Sequence, residues 1–283
     1  MRLRVAIVLF VPALCAAQPA LRNGEALTYR VGWGLFFHAG EIKITADTTT
    51  GADGSAQLHV TTGTATLGLA RAIYTFDAQA DALLDPKTGR LHTYCEMTKT
   101  QNRETKNSVT FDYAKSTASY LSTFTPEKNA TLLLPPGDPR DLIMSLVQTR
   151  TWNLKPGEQR DALVLFDNEF YELTLHALRY EEVTTPLGTF NTLVLEPRME
   201  KTAPKGMFKR GSTVCVWISQ DERKLPVKFQ VEFKFGSGVA TLMNYQPPAA
   251  LDAAPPPAAA ATGATEGTPA VAESKPDAKN PRS

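Results

Sequence analysis

The stretch Val227-Lys228-Phe229-Gln230-Val231-Glu232-Phe233-Lys234-Phe235 alternates apolar and polar residues without a break. Successive side chains of a β-strand point to opposite faces of the sheet, so five apolar residues share one face and four polar residues share the other. The stretch therefore predicts an antiparallel strand with one face buried and the other in water. Gly236-Ser237-Gly238 follows it and predicts a turn into the next strand.

The same two-residue period recurs along most of the chain. Turn residues such as Asp53-Gly54, Thr88-Gly89 and Asp167-Asn168 separate the runs. The other alternating runs are 26–33, 41–45, 57–60, 73–77, 90–100, 109–113, 163–166, 171–175, 192–195, 214–219 and 239–245. About eleven or twelve strands with short links predict a mainly β fold, a large curved antiparallel sheet that forms a barrel or half-barrel.

One helix is predicted at about 138–152, where it caps the sheet. Asp138 suits the N-cap, and Pro139 suits the first helical position because its missing N–H has no partner there. An apolar stripe follows, formed by Leu142, Ile143, Leu146 and Val147.

The composition limits the class of protein. The chain has 283 residues, of which 42% are hydrophobic and 21% charged, and its formal net charge is +1. Such a chain is neither wholly disordered nor strongly basic, so it lacks the charge that nucleic-acid binding uses. It contains no apolar run of about 18 residues, which excludes a multi-pass helical membrane protein.

The first 17 residues have the three parts of a secretory signal peptide. Arg2 and Arg4 are basic, Val5–Leu14 is apolar, and Cys15-Ala16-Ala17 supplies small residues for cleavage before Gln18. The protein is therefore expected to be exported to the periplasm or beyond. Lipidation of Cys15 is not expected, because Leu14 stands where a lipidation signal has a small residue.

The last 37 residues, 247–283, are rich in proline and alanine and contain no aromatic residue. They cannot bury enough apolar surface to offset the entropy of ordering, so a disordered tail is expected. This leaves 18–246 as a single β-rich domain, and that segment carries 25 basic and 25 acidic residues.

The sequence contains no catalytic or cofactor-binding motif. It has no Gly-x-Ser-x-Gly elbow, no His-Glu-x-x-His pair and no phosphate-binding loop. The four histidines, His38, His59, His92 and His176, have no ligand spacing. No metal and no cofactor are expected, and an enzyme is the less favoured alternative.

An apolar cluster near the N-terminus is a candidate ligand site. Trp33, Leu35, Phe36 and Phe37 lie within five positions and are interleaved with glycines that permit a tight turn. The rings either pack in the core or line a pocket. Trp217, on a later strand, is added to the candidates for binding an apolar ligand.

A basic segment is a candidate for contact with anionic envelope lipid. It contains Arg198, Lys201, Lys205, Lys209 and Arg210 against the single Glu200, and Phe208 lies inside it. Basic side chains would attract an anionic surface, and Phe208 would insert into it. The alternative is a solvated loop.

Cys95 and Cys215 remain after cleavage of the signal peptide, and both lie in predicted strands. An oxidising compartment permits a disulfide between them. Two buried free thiols are the equal alternative.

Three places in the chain resemble one bacterial exported family, catalogued only as domain of unknown function 3108. The first is Tyr29–Trp33 followed by His38–Glu41, and the second is the helix from Asp138 to Arg150 followed by Leu154-Lys155-Pro156-Gly157. The third combines Thr185–Phe190 with Val216–Val227. The resemblance covers most of 24–245 and implies an exported envelope protein without bringing an activity.

The last of these motifs is also distantly similar to periplasmic lipoprotein carriers, which are curved antiparallel sheets that hold acyl chains. We therefore expect a non-enzymatic envelope protein that binds an apolar ligand or an envelope partner within the curved sheet. The alternative is a hydrolase or other enzyme that acts on an envelope polymer.

Overall fold

The computed structural model describes residues 19–249 except 52, 205–207, 209–210 and 234–235. The predicted signal peptide and Cys15 lie outside the described residues, as does the predicted tail from residue 250 onward. The strands are β1 (Glu25–Trp33), β2 (Phe36–Thr50), β3 (Ala56–Thr66), β4 (Phe76–Leu84), β5 (Leu91–Thr100), β6 (Glu104–Asp112), β7 (Thr117–Ser122), β8 (Ala130–Leu133), β9 (Gln159–Phe166), β10 (Glu169–Thr185), β11 (Gly188–Arg198), β12 (Thr213–Ser219), β13 (Pro226–Phe233) and β14 (Gly236–Gln246). The α-helices are α1 (Gly68–Ile73) and α2 (Leu142–Gln148), and Pro126–Lys128 and Thr149–Thr151 form 3₁₀ turns.

All the described strands belong to one antiparallel sheet, which confirms the mainly β prediction. The strand order is β8-β7-β6-β5-β4-β3-β2-β1-β14-β13-β12-β11-β10-β9. The first and last strands meet through the β1–β14 pair, in which Ala26 lies opposite Gln246. The sheet has fourteen strands rather than eleven or twelve, and it is not closed, because β8 and β9 are its two edges.

Side-chain contacts bring the two ends of this sheet close together. The rings of Phe111 on β6 and Phe170 on β10 lie 6.4 Å apart. The Tyr120 hydroxyl on β7 donates to Asp167, in the β9–β10 turn, at 2.5 Å. Lys128, which follows β7, also donates to Asp167. The sheet is therefore curled, and these contacts take the place of a hydrogen-bonded seam.

The helix α2 packs on the core of the curled sheet. Met144 and Val147 pack in the larger core cluster, and Leu146 packs in a smaller cluster with β9–β12. The N-cap is Asp141, whose side chain accepts from the Met144 N–H at 3.0 Å. The prediction of a cap at Asp138 was wrong, because its carboxylate accepts instead from Arg90 at 2.9 Å.

The alternating stretch from Val227 forms strand β13, and its two faces differ largely as predicted. Val227, Phe229 and Val231 contribute to the core clusters, while Gln230 and Glu232 bond each other on the other face. Residues 234–235 of that stretch lie outside the described part.

The helices of the described part are short. None of them is long and apolar enough to cross a lipid bilayer.

Candidate functional site

The β1–β2 hairpin builds one wall of an apolar cavity. Trp33 pairs with Phe36 across a two-residue turn, and Gly34 in that turn has φ of 54°, a conformation that glycine adopts without strain. The Trp33 indole lies across Gly238 of β14, where a Cβ would come within 2.9 Å of Cε3. The missing side chain therefore lets the ring lie flat on the neighbouring strand, with Phe233 at 5.5 Å.

The connection from β3 to β4 builds the opposite wall. This connection contains α1, and the Leu67 N–H that precedes it donates to the Ala39 carbonyl of β2 at 2.8 Å. Thr66 donates its hydroxyl to the Tyr74 carbonyl at 3.0 Å and accepts from the Phe76 N–H at 2.9 Å. The first of these bonds ties the connection to β2, and the other two join its beginning to its end.

The cavity between these walls has a volume of about 460 Å³. No described residue with a charged side chain lines it, and the lining is Val31, Trp33, Phe36, Ala39, Gly40, Thr64, Ala65, Thr66, Ala70, Ile73, Tyr74 and Phe76. This volume lies in the range of small-molecule sites. An uncharged, apolar ligand fits such a lining, because a charged group there would lose its hydration without gaining a partner.

The predicted ligand-binding residues divide into three groups. Trp33 and Phe36 line the cavity together. Leu35 and Phe37 are 91% and 86% exposed at the tip of the same hairpin. Trp217 lies elsewhere, buried on β12 with the Lys228 ammonium 4.0 Å from its ring centre, so the structure does not bring it to the cavity.

Sequence reasoning missed the contribution of α1. Ile73 and Tyr74 line the cavity, and Leu69 lies one helical turn before Ile73. The run 73–77 was predicted as a strand, whereas the helix ends at Ile73 and β4 begins at Phe76. The four-residue spacing of Leu69 and Ile73 was the available signal, although six residues make a short helix.

A second, polar cavity of about 160 Å³ lies deeper in the curl, and Thr64 lines both cavities. Cross-strand register aligns Thr62, Ala80, Glu96 and Asn107 in one row on β3–β6. The small side chain of Ala80 in that row, with Ala78 two residues before it on β4, leaves space in front of the polar groups. Asp141 at the start of α2 and the β9–β10 turn with Asp167 line the facing wall.

The carboxyl groups of this polar cavity have divergent pKa values. Burial, together with Asp141 and Asp167, raises the pKa of Glu96. Burial also raises the pKa of Asp141, although backbone N–H groups of the helix start oppose this. For Asp167, burial raises the pKa, but the hydrogen bonds from Lys128 and Tyr120 lower it by more, so that the pKa of Asp167 is lowered overall. The cavity thus combines a carboxyl group that favours its neutral form with one that favours its charged form.

The described part of the basic segment is largely paired. Arg198 donates to Glu196 at 2.7 Å, and Lys201 donates to Asp161 at 2.7 Å. Phe208 packs against the smaller core cluster. Lys205, Lys209 and Arg210 lie outside the described residues. Lipid binding by this segment stays a prediction.

Cys95 on β5 and Cys215 on β12 are free thiols in this structure. Six strands separate β5 from β12 along the sheet. Burial raises the pKa of Cys215 to about 11. Of the two alternatives, the structure therefore contains the unbonded one.

Metal binding finds no support in the described part of the chain. No group of three or more His, Cys, Asp or Glu side chains there is arranged to hold a metal ion.

A buried ion pair and the hydrogen bonds around it link the three motifs that carry the family resemblance. Arg150 Nη1 lies 2.6 Å from Glu25 Oε1, and the two side chains are 7% and 1% exposed. Arg150 also donates to the carbonyls of Arg223 at 2.6 Å and Lys224 at 3.1 Å. The turn 221–224 thus supplies backbone acceptors to a buried guanidinium. Tyr29 reaches the same place by donating to the Pro226 carbonyl at 2.8 Å.

These features define a class of protein: a curled, unclosed antiparallel sheet with an apolar cavity at one end and a buried ion pair that joins distant segments of the chain. The chain belongs to the family described as "Protein of unknown function (DUF3108)", whose model matches residues 28–243. No curated protein matches the chain.

Solved structures that match this chain include two that share little sequence with it. One is the beta-barrel-like protein of domain of unknown function DUF1849 from Brucella abortus, with 9% identity, a TM-score of 0.48, and coverage of 80% of this chain and 99% of that chain. The other is named "putative lipoprotein" from Parabacteroides distasonis, with 10% identity, a TM-score of 0.30, and coverage of 81% of this chain and 97% of that chain.

Proposed function

We propose that this is an exported, non-enzymatic protein that binds an apolar ligand, such as an acyl chain, in the cavity between the β1–β2 hairpin and α1. The observation that carries the proposal is the lining of that cavity, which is about 460 Å³ in volume and has no charged side chain among its described residues. A cavity that is apolar and open at a sheet end gains free energy by covering its surface with a chain of methylene groups.

A titration with a fluorescent apolar probe, 1-N-phenylnaphthylamine, tests the proposal directly. We expect saturable binding that Phe36→Glu weakens about tenfold or more, because a carboxylate in the cavity wall must lose its hydration. Leu187→Glu is the matched control, since Leu187 is 38% exposed against 36% for Phe36 but lies in the β10–β11 turn. Absence of saturable binding by the wild-type protein would refute the proposal.

The identity of a natural ligand is sought by lipid extraction of the purified protein followed by mass spectrometry. We expect acyl species from wild type and none from Phe36→Glu. Equal amounts from both proteins would mean that the lipid is carried elsewhere on the surface.

Export is a separate part of the proposal, and it rests on the sequence of residues 1–17. We expect a chain that begins at Gln18, which mass spectrometry of protein from the native host measures. A chain that retains Met1, or one that carries a lipid on Cys15, would contradict it.

The second candidate function is an enzyme that acts on an envelope polymer. It is favoured by two carboxyl groups that line the polar cavity and differ in pKa: the pKa of Glu96 is raised and that of Asp167 is lowered. In such a pair the group with the raised pKa can act as a general acid, while the other stays ionised. The test is release of soluble fragments from purified peptidoglycan. Release by wild type that Glu96→Gln abolishes would support the enzyme, and no release by either protein would exclude this activity.

A further inference from the structure

A third cavity is bounded by α2 and the edge strand β9 and has a volume of about 220 Å³. It shares no lining residue with the apolar cavity or with the polar cavity. Two arginines, one serine and one tryptophan of its wall carry the argument, namely Arg140, Arg160, Ser145 and Trp152. We call it the arginine cavity. Its volume is below that of sites for drug-sized ligands, so it suits a small molecule.

Arg140 is a buried cation that forms no ion pair with any described carboxylate. Its backbone extends the sheet edge, because its N–H donates to the Leu163 carbonyl at 3.1 Å and its carbonyl accepts from the Leu165 N–H at 2.8 Å. The residue is 8% exposed, and its guanidinium donates to the carbonyls of Gly89 at 3.0 Å and Asp138 at 3.1 Å. A guanidinium has five N–H donors, so these two bonds leave donors for a ligand.

The protein's own carboxylates do not neutralise Arg140. Burial lowers the pKa of its guanidinium, and Asp138 and Asp141 only partly oppose this. The Asp138 carboxylate accepts from Arg90 at 2.9 Å, and the Asp141 carboxylate accepts from the Met144 N–H at 3.0 Å. A guanidinium does not lose its proton in a protein, so a buried one requires a partner of opposite charge.

Ser145 contributes a buried hydroxyl to the same cavity. The residue is 2% exposed, and its Oγ has no hydrogen-bond partner among the described residues. Its backbone N–H donates to the Asp141 carbonyl at 2.8 Å within α2, a bond that alanine would make equally well. A buried hydroxyl without a partner costs free energy. The fold therefore does not need this hydroxyl, which is available to donate to a ligand in the cavity.

Arg160 on β9 is the second cation in the wall. Its guanidinium lies 4.7 Å from the ring centre of Trp152, and it forms no ion pair within the part of the chain that the structure describes. Stacking on the indole holds this positive charge beside the cavity. Arg140 and Arg160 therefore face the cavity without carboxylate partners.

The carboxylates that line the cavity have cations outside its lining. They are Asp138, which pairs with Arg90 at 2.9 Å, and Asp161 and Glu172, which share Lys201 at 2.7 and 3.5 Å. These two outer cations and the two lining arginines together exceed the three carboxylates by one. One negative charge in the cavity balances the described groups, whereas two would leave an excess of negative charge.

We propose that the arginine cavity binds a small organic monocarboxylate. The carboxylate accepts hydrogen bonds from the Arg140 guanidinium and the Ser145 hydroxyl, and the apolar part of the ligand lies against Trp152. A planar guanidinium with free donors matches the two oxygens of a carboxylate. This site is additional to the apolar cavity of the proposed function and does not rest on it.

Calorimetric titration of the full chain with propionate, propionamide and sulfate tests the proposal at constant ionic strength. These probes are a monocarboxylate, its uncharged analogue and a dianion. We expect saturable binding of propionate, and binding of propionamide that is about tenfold weaker, since it lacks the charge that strengthens the hydrogen bonds. Sulfate should also bind more weakly than propionate. The proposal is overturned if propionate does not saturate a site, or if propionamide or sulfate binds as tightly as propionate.

Ser145→Ala tests the buried hydroxyl without disturbing the bonds that Arg140 makes to Gly89 and Asp138. It should weaken propionate binding about tenfold, the factor that corresponds to one hydrogen bond to a charged group. It should leave the Tm of the ligand-free protein unchanged or higher, because the Oγ has no partner in the described fold to lose. A lower Tm, or unchanged affinity for propionate, would show that the hydroxyl does not serve a ligand and would overturn the proposal.

Arg160→Gln tests the second cation, and Arg103→Gln is its matched control. Arg103 lies 4.9 Å from the ring centre of Phe124, as Arg160 lies on Trp152, but it does not line the arginine cavity. Arg160→Gln should weaken propionate binding about threefold, the factor that corresponds to an exposed ion pair, and Arg103→Gln should bind as wild type does. Equal weakening by both variants would mean that propionate responds to the charge of the whole protein, which would overturn the proposal.

The result is independent of the proposed function. Phe36→Glu should bind propionate as wild type does, because the apolar cavity and the arginine cavity share no lining residue. Loss of 1-N-phenylnaphthylamine binding would refute the apolar site alone, and loss of propionate binding would refute the arginine cavity alone.

Discussion

Replacement of Arg150 by methionine should destabilise the protein more than any change to its surface ion pairs. Methionine keeps much of the side-chain length and removes the charge and every donor. The loss leaves Glu25, which is 1% exposed, as a buried carboxylate without its cation. It also removes the donors to the carbonyls of Ala20, Arg223 and Lys224.

The expected magnitude follows from that burial. Removal of one partner of a buried ion pair costs about 3–5 kcal/mol, because the remaining charge has lost its hydration and has no counter-charge. For a domain of this size each kcal/mol lowers Tm by about 2–4 °C, so Tm should fall by about 6–20 °C. Adding Glu25→Gln to Arg150→Met should restore part of the loss, because no buried charge then remains.

Calorimetry and urea unfolding at pH 7 measure both quantities, and Arg71→Met is the control. Arg71 pairs with Asp77 at 2.6 Å, but the two side chains are 42% and 38% exposed. A pair this exposed contributes less than about 1 kcal/mol. The reasoning fails if Arg150→Met lowers Tm no more than Arg71→Met, or if the double variant is less stable than Arg150→Met alone.

Three further predictions follow from individual sites. Glu96→Gln should raise Tm at pH 7 and leave it unchanged at pH 3. The folded state raises the pKa of the Glu96 carboxyl, so the stability that its protonated form gives is lost as pH rises through the folded pKa, and glutamine does not lose it; an equal change in Tm at both pH values would contradict the burial of Glu96. Unfolded, unreduced protein should titrate with two thiol equivalents, from Cys95 and Cys215, and a disulfide would instead give none. Gly238→Ala should displace the Trp33 indole, which would lie 2.9 Å from the new methyl group, and weaken binding of the apolar probe several-fold. Gly63→Ala is the control and should have no effect, because no atom lies nearer than 4.0 Å to its new methyl group; equal affinities of the two variants for the probe would show that binding does not need the Trp33 ring in this position.

The class of fold and the turns could be predicted from the sequence because they depend on local chemistry. Alternation such as that of Val227–Phe235 defines a strand wherever one sheet face is buried. The Thr185–Gly188 turn forms as its proline and glycine require, with Thr185 paired to Gly188 and φ of 120° at the glycine. The helix was found by its apolar stripe, but its cap was misplaced by three residues. Asp138 and Asp141 are equivalent caps in sequence, and only the contact of Asp138 with Arg90 separates them.

The candidate site was predicted only in part, for a related reason. Trp33 and Phe36 were identified because aromatic residues beside glycines stand out in a sequence. The opposite wall was missed because Ile73 and Tyr74 lie in a different connection, and only the register of β2 with β3 brings them across from the hairpin. Trp217 was included for its residue type alone, and the fold places it in the core.

The sequence by itself determined that the chain forms an antiparallel sheet, where most strands and turns lie, and which family the chain resembles. Each of these depends on the residue types within short segments of the chain. The tertiary structure alone decided that the sheet is open and curled. It also decided that Glu25, Arg150 and the turn at Arg223 meet, and that the β1–β2 hairpin and α1 bound one cavity. Such facts depend on contacts between residues that are distant in the chain, such as Tyr120 with Asp167 and Glu25 with Arg150. Short segments of sequence do not show which distant residues will meet.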